Sequence, residues 1–200
     1  VARNTKVFYL SERTDLSHFV WYDGAMSHLH TKPGQHDLTA SAYIVRTDGP
    51  EPVLLLHMHK KLNQYLQFGG HVEHHEDPWK AVSHEIVEES GYHMSQLKLL
   101  QPSLRLKSIS NATLHPVPVT LLTHEFPGLD HFHSDVAFAF TTNEPPASDV
   151  EEGESTIMRN FTAAELRKLQ KDEIPENVRE IGLYVLDNIL ASWEQIAAPE

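Results

Sequence analysis

Residues 77–91, DPWKAVSHEIVEESG, carry their own start and stop signals, so they commit the chain to one helix before anything else is decided. Asp77 is a good N-cap, and Pro78 suits the first helical position, where an N–H has no intrahelical acceptor. Gly91 is a natural stop because it enters the left-handed region without steric cost. Trp79, Val82 and Ile86 recur at +3 and +4 and form a single apolar stripe. A helix with one such stripe has to be covered by another layer of structure.

The flanking sequence supplies strands for that layer. Residues 38–47, LTASAYIVRT, alternate and are rich in β-branched and aromatic side chains. Residues 53–59, VLLLHMH, begin as a continuous apolar run, as in a strand covered on both faces. YLQFGG reads as a short strand ending in a glycine turn, and further strands are expected near 96–100, 104–109, 116–124 and 133–141. Thr162 caps a short helix, and residues 177–193 form an amphipathic closing helix. Residues 11–31 read as one or two short helices, which makes 1–37 an N-terminal helical extension and 38–200 the main domain with its closing helix. The mixture predicts an α/β or α+β class.

Composition narrows the function. The chain has 200 residues, a formal net charge of −12 and only 16 Lys and Arg, so it lacks the basic stripe that duplex nucleic acid requires. It has no cysteine, which excludes disulfides and thiolate catalysis and agrees with a reducing cytoplasmic setting. There is no apolar run of membrane-spanning length.

The same helix poses an electrostatic problem. Glu85, Glu88 and Glu89 stand at i, i+3 and i+4, share one face and lie toward the C-terminal end, where the helix dipole disfavours anions. Each like-charged pair costs about 0.2–0.5 kcal/mol on an exposed helix, and more where water is excluded. Carboxylate oxygens suit hard cations such as Mg²⁺ or Mn²⁺, and such an ion would compensate the crowding. A solvated acidic face is the simpler alternative.

The surrounding residues favour the cation. Gly70, Glu76, then His84-Glu85-Ile86-Val87-Glu88-Glu89-Ser90-Gly91-Tyr92 resembles the Nudix box: Gly, five residues, Glu, seven residues, Arg-Glu-apolar-any-Glu-Glu-any-Gly-apolar. The glutamates and glycines match in register, while His84 stands where the family has arginine. The resemblance implies a mixed sheet sandwiched between helices and a Mg²⁺- or Mn²⁺-dependent hydrolase. Its substrate would be a nucleoside diphosphate linked to another moiety. It further implies Glu88 and Glu89 as metal ligands, Glu85 as a further ligand or the catalytic base, and a backbone carbonyl at Gly69 or Gly70 completing the shell. In several such enzymes the base comes from a late loop, and Glu154, in the loop NEPPASDVEEGEST with Glu151 and Glu152, is the candidate here. His84, four residues before Glu88, replaces the arginine only in part, because imidazole is not a fixed bidentate cation.

Three further groups are candidates for binding substrate. His71 follows the glycine turn, and Lys60 and Lys61 precede the YLQFGG strand. His131, His133 and Asp135 alternate and would share one strand face, where His115 could join them in a second metal or phosphate site; otherwise they form a polar outward face. Trp193 is expected in core or dimer packing, and a homodimer is the commonest assembly. A nucleotide or nucleotide-sugar sensor with weak or no hydrolysis is the alternative function. An isomerase on the same fold is disfavoured, since those rely on a reactive cysteine.

Overall fold

The fold is built outward from a central pair of long strands, β1 (His36–Arg46) and β7 (Phe132–Thr142), in a computed structural model that describes residues 32, 34–125 and 131–199. They run parallel, from His36 opposite Phe132 to Arg46 opposite Thr142. Among the described residues every other pairing is antiparallel. β1 changes partner midway: Ile44–Arg46 pair with β2 (Val53–His59), and Thr39–Ala42 pair with β4 (Phe68–His71). β7 divides likewise between β5 (Lys98–Gln101) and β6 (Thr120–Glu125). β3 (Gln64–Leu66) and β8 (Met158–Phe161) pair with β2, and β9 (Glu194–Ala197) pairs with β5, making nine strands in one mixed sheet among the described residues.

Both faces of this sheet are covered. Ala40, Ala42 and Ile44 of β1 and Phe138 and Phe140 of β7 meet Trp79, Val82 and Ile86 of α1 (Pro78–Ser90). Burying side chains of this size contributes about 1.5–3 kcal/mol each. Tyr43, Val45, Ala137 and Ala139 point the other way, onto Val178 and Ile181 of the helix Glu176–Tyr184, with Leu54, Leu56 and Phe161. Here α2 is Ala163–Leu166, closed at its start by a reciprocal Thr162–Glu165 capping box, and α3 is Glu176–Tyr184. α3 continues through a widened π turn, Val185–Ile189, into α4 (Leu190–Ser192).

The α1 signals are realised: Asp77 Oδ1 accepts from Trp79 N and Lys80 N, and Gly91 ends the helix at φ 69°. Four expectations change. Residues 104–109 form no strand, because Leu104 and Leu106 are exposed and have no neighbouring strand to pair with among the described residues. The closing helix expected at 177–193 runs from Glu176 with a π turn inside it and stops at Ser192, after which the chain returns as β9, while Trp193 packs at the edge of the α3-side core as expected. β1 begins at His36, where pairing with β7 already holds the backbone. His131, His133 and Asp135 are 7%, 8% and 6% exposed, so their face of β7 is not an outward one. The helices expected within 11–31 lie outside the described residues. Among the described residues no helix is long and apolar enough to cross a membrane.

Candidate active site

The carboxylate face of α1 is built against the glycine turn of β4. Gly69 adopts φ +144°, a conformation nearly reserved for glycine, and a Cβ there would meet Ala40 O at 2.3 Å. Its N–H donates to Glu89 Oε2 at 2.8 Å. Gly70 leaves room for the neighbouring carboxylate, since a Cβ at that position would fall 2.0 Å from Glu85 Oε1. The two box glycines therefore cradle two of the box glutamates.

This arrangement is costly while the carboxylates are charged. Burial, reinforced by Glu85, pushes Glu89 up to about 9, against the opposing hydrogen bond from Gly69. Burial, then Glu88 and Glu154, push Glu85 up to about 7. Mutually repelling oxygen donors, one buried and two half-buried, with a backbone cradle fit a hard divalent cation, and Glu85, Glu88 and Glu89 are the residues that would hold it. The glutamates are thus only partly solvated, which disfavours the solvated-face alternative.

His84 spans two of the box carboxylates. Its Nδ1 lies 3.0 Å from Glu76 Oε1 and its Nε2 lies 3.7 Å from Glu88 Oε1. The imidazole thus occupies the bridging place between the first and third box glutamates, at an exposed position on the helix.

The late loop docks on the C-terminal end of α1. Ala147 N and Ser148 N both donate to Gly91 O at 3.1 Å, and Glu151 N donates to Glu88 O at 2.8 Å. These bonds satisfy carbonyls that a helix end otherwise leaves to water. Glu154 is half-buried and raises both Glu85 and Glu89, whereas Glu151 and Glu152 are exposed. Lys60 joins from below the turn after β2, donating from Nζ to Gly153 O at 2.5 Å, so it orders the loop that carries Glu154. Lys61 is exposed and lowers His59 electrostatically, behind the larger effect of burial.

His57 is a neighbour that sequence reasoning missed. Its Nε2 lies 3.8 Å from Glu89 Oε1, and its buried Nδ1 has no hydrogen-bond partner among the described residues. Burial, with His59 close by, presses it down to about 4, so it faces Glu89 as a neutral ring. The only sequence signal was an imidazole placed inside the apolar run VLLLHMH.

His71 and His133 converge elsewhere, on the opposite face of the sheet from α1. Their rings lie 5.0 Å apart, beside Asp37 and His131. Asp135 leaves this group and accepts instead from Thr39 Oγ1 and Ser41 Oγ, both at 2.8 Å. His115 is not part of it either: its Nδ1 lies 4.0 Å from Asp77 Oδ1 at the start of α1. A groove of about 1030 Å³ opens on that side of α1, with Glu76, His84 and His115 in its wall but neither Glu85 nor Glu89.

Comparison with known proteins agrees with this geometry. A NUDIX family hydrolase from Clostridium perfringens shares 28% identity and a TM-score of 0.61, over 76% of this chain and 96% of that one. A C. elegans Ap4A hydrolase in a binary complex shares 20% identity and a TM-score of 0.57, over 78% and 98%. The NUDIX domain of Shewanella oneidensis NrtR complexed with ADP-ribose shares the fold at 8% identity and a TM-score of 0.54, over 74% and 84%. No curated protein sequence matches the chain. The sequence pattern of the NUDIX domain, however, matches residues 35–180 continuously, from the start of β1 into α3, and by that match the chain belongs to the NUDIX domain family.

Proposed function

We propose that the chain is a divalent-cation-dependent pyrophosphohydrolase that cleaves the diphosphate of a nucleoside diphosphate linked to another moiety. The observation that carries this reading is the pair Glu85 and Glu89, the first half-buried, the second buried, mutually repelling on the Gly69–Gly70 turn. Such a pair is stable in its ionised form only beside positive charge.

Each residue has a distinct part. Glu88 and Glu89, with Glu85, hold Mg²⁺ or Mn²⁺, and a backbone carbonyl at Gly69 or Gly70 is the remaining protein donor. The cation, when bound, neutralises the diphosphate oxygens and lowers the pKa of bound water. Glu154 takes the proton of the attacking water, since it stands half-buried beside Glu85 and Glu89 on a loop anchored to α1. Glu85 is the competing base, and its position against Gly70 favours a ligand role. His84 orients Glu76 and Glu88. Lys60 and Lys61 are the candidate contacts to the rest of the substrate, whereas His71 and His133, on the other face of the sheet, are set apart from it. Lys60 acts at one remove, through the Gly153 carbonyl.

The linked nucleotides named with two of the solved relatives, Ap4A and ADP-ribose, are of this class. The ADP-ribose complex also supports a second reading, a nucleotide-binding sensor with weak hydrolysis, and His84 in the arginine position is the feature that favours it. Phosphate release from a nucleotide panel with Mg²⁺, coupled to phosphatase, separates the two. Turnover lost in Glu89→Gln supports the hydrolase; nucleotide binding without turnover in the wild type supports the sensor. Turnover undiminished in Glu89→Gln removes the ligand assignment.

A further inference from the structure

The sheet face opposite α1 holds a second convergence of metal-ligating atoms. In the parallel register of β1 and β7, Asp37 is the direct partner of His133, and His131 lies two residues before it. His131 Nε2 is 3.1 Å from His133 Nε2 and 3.5 Å from Asp37 Oδ2, and one ligand atom from each of the three lies within 4.8 Å of the others. Ligands sharing one tetrahedral ion with bonds of about 2.0–2.1 Å stand roughly 3.3 Å apart. The observed spacings bracket that value. All three side chains are buried, at 4–8% exposure.

We propose that Asp37, His131 and His133 form a binding site for a borderline divalent cation of the Zn²⁺ class, distinct from the carboxylate site on α1. Two imidazoles and one carboxylate are a donor set for zinc and its neighbours in the first transition row, whereas three carboxylates suit magnesium. His71 closes one side: its Nε2 lies 3.7 Å from Asp37 Oδ2, and its ring meets His133 edge-on. Since His71 directly follows Gly70 in β4, the site lies one residue along the strand from the cradle of Glu85. The simpler account is a hydrogen-bonded pair of imidazoles beside a carboxylate, which would take up no metal.

The test uses the whole chain, stripped with chelator and titrated with Co²⁺ in excess Mg²⁺, so that the α1 carboxylates are already engaged. The site predicts one equivalent of Co²⁺ with visible d–d absorption, displaced by Zn²⁺ and retained in Glu88→Gln. His133→Ala and Asp37→Asn should each weaken that binding by more than about tenfold while circular dichroism stays native. His131→Gln is the alternative variant if His133→Ala fails to fold, and it should show the same loss. Absence of stoichiometric Co²⁺ binding in the wild type overturns the proposal. So does binding that disappears in Glu88→Gln, or that survives substitution of Asp37 and His131.

Discussion

Gly70 and Glu85 fit so closely that a methyl group on the one would fall 2.0 Å from the carboxylate oxygen of the other. Gly70→Ala therefore has to move Glu85 while leaving the sheet intact. Displacing a catalytic or ligating group by about 1 Å costs on the order of a hundredfold in rate. Turnover in Gly70→Ala is expected to fall by about that factor with an unchanged circular dichroism spectrum. Wild-type turnover would show that the Glu85 position is immaterial.

Four strongly shifted groups lead the acid–base behaviour of the folded chain between about pH 4 and 9. Glu85 and Glu89, raised to about 7 and about 9, contribute stability below about pH 4.5 that is lost as pH rises through those values. His57 and His133, lowered to about 4, contribute stability above about pH 6.5 that is lost as pH falls toward 4. Between about pH 4.5 and 6.5 the two pairs oppose one another, so the net loss is expected from about pH 6.5 to 9. Thermal melts in chelator should show Tm falling over that range. Mg²⁺ should raise Tm more at pH 8.5 than at pH 6, and Glu89→Gln should flatten the alkaline fall. A Tm that climbs with pH in chelator contradicts the burial argument.

His84 touches Glu76 and Glu88 with its two ring nitrogens. A neutral imidazole has one N–H and can donate to only one of the two, whereas arginine keeps its charge and can donate to both. His84→Arg is expected to raise kcat/KM at pH 8 and to flatten the pH profile. Superimposable profiles for the two proteins would remove any orienting role.

Glu154 differs from its loop neighbours in being half-buried beside the box carboxylates. Loss of a general base lowers kcat by about 10²–10⁴-fold. Glu154→Gln should show such a loss with little change in KM, whereas Glu151→Gln and Glu152→Gln leave kcat unchanged. Glu151 holds the loop through its backbone N–H on Glu88 O, which a side-chain change does not touch. If only Glu85→Gln gives the drop, the base is Glu85.

A control for stability lies far from the site. A Cβ on Gly182 in α3 would come 2.6 Å from Leu54 Cδ2 and 3.1 Å from Leu166 Cδ2. Overpacking of this kind costs about 1–3 kcal/mol. Urea unfolding of Gly182→Ala should show that loss, with turnover of the folded fraction unchanged.

Local signals were enough for α1, for the glycine turn and for the register of Glu85, Glu88 and Glu89, because caps, helical period and glycine conformations act within a few residues. The resemblance drawn from that segment already implied the family. What stayed hidden depends on pairing across long separations. Asp37 joins His131 and His133 only because β1 and β7 run parallel in one register, and that register sends Asp135 to Thr39 and Ser41. His57 reaches Glu89 only because β2 lies alongside β1, and Glu154 reaches Glu85 only because a loop closes the end of α1. Strand pairing and loop closure join groups that have no local interaction, so the sequence alone determined which side chains could do chemistry, and the tertiary structure decided which of them meet.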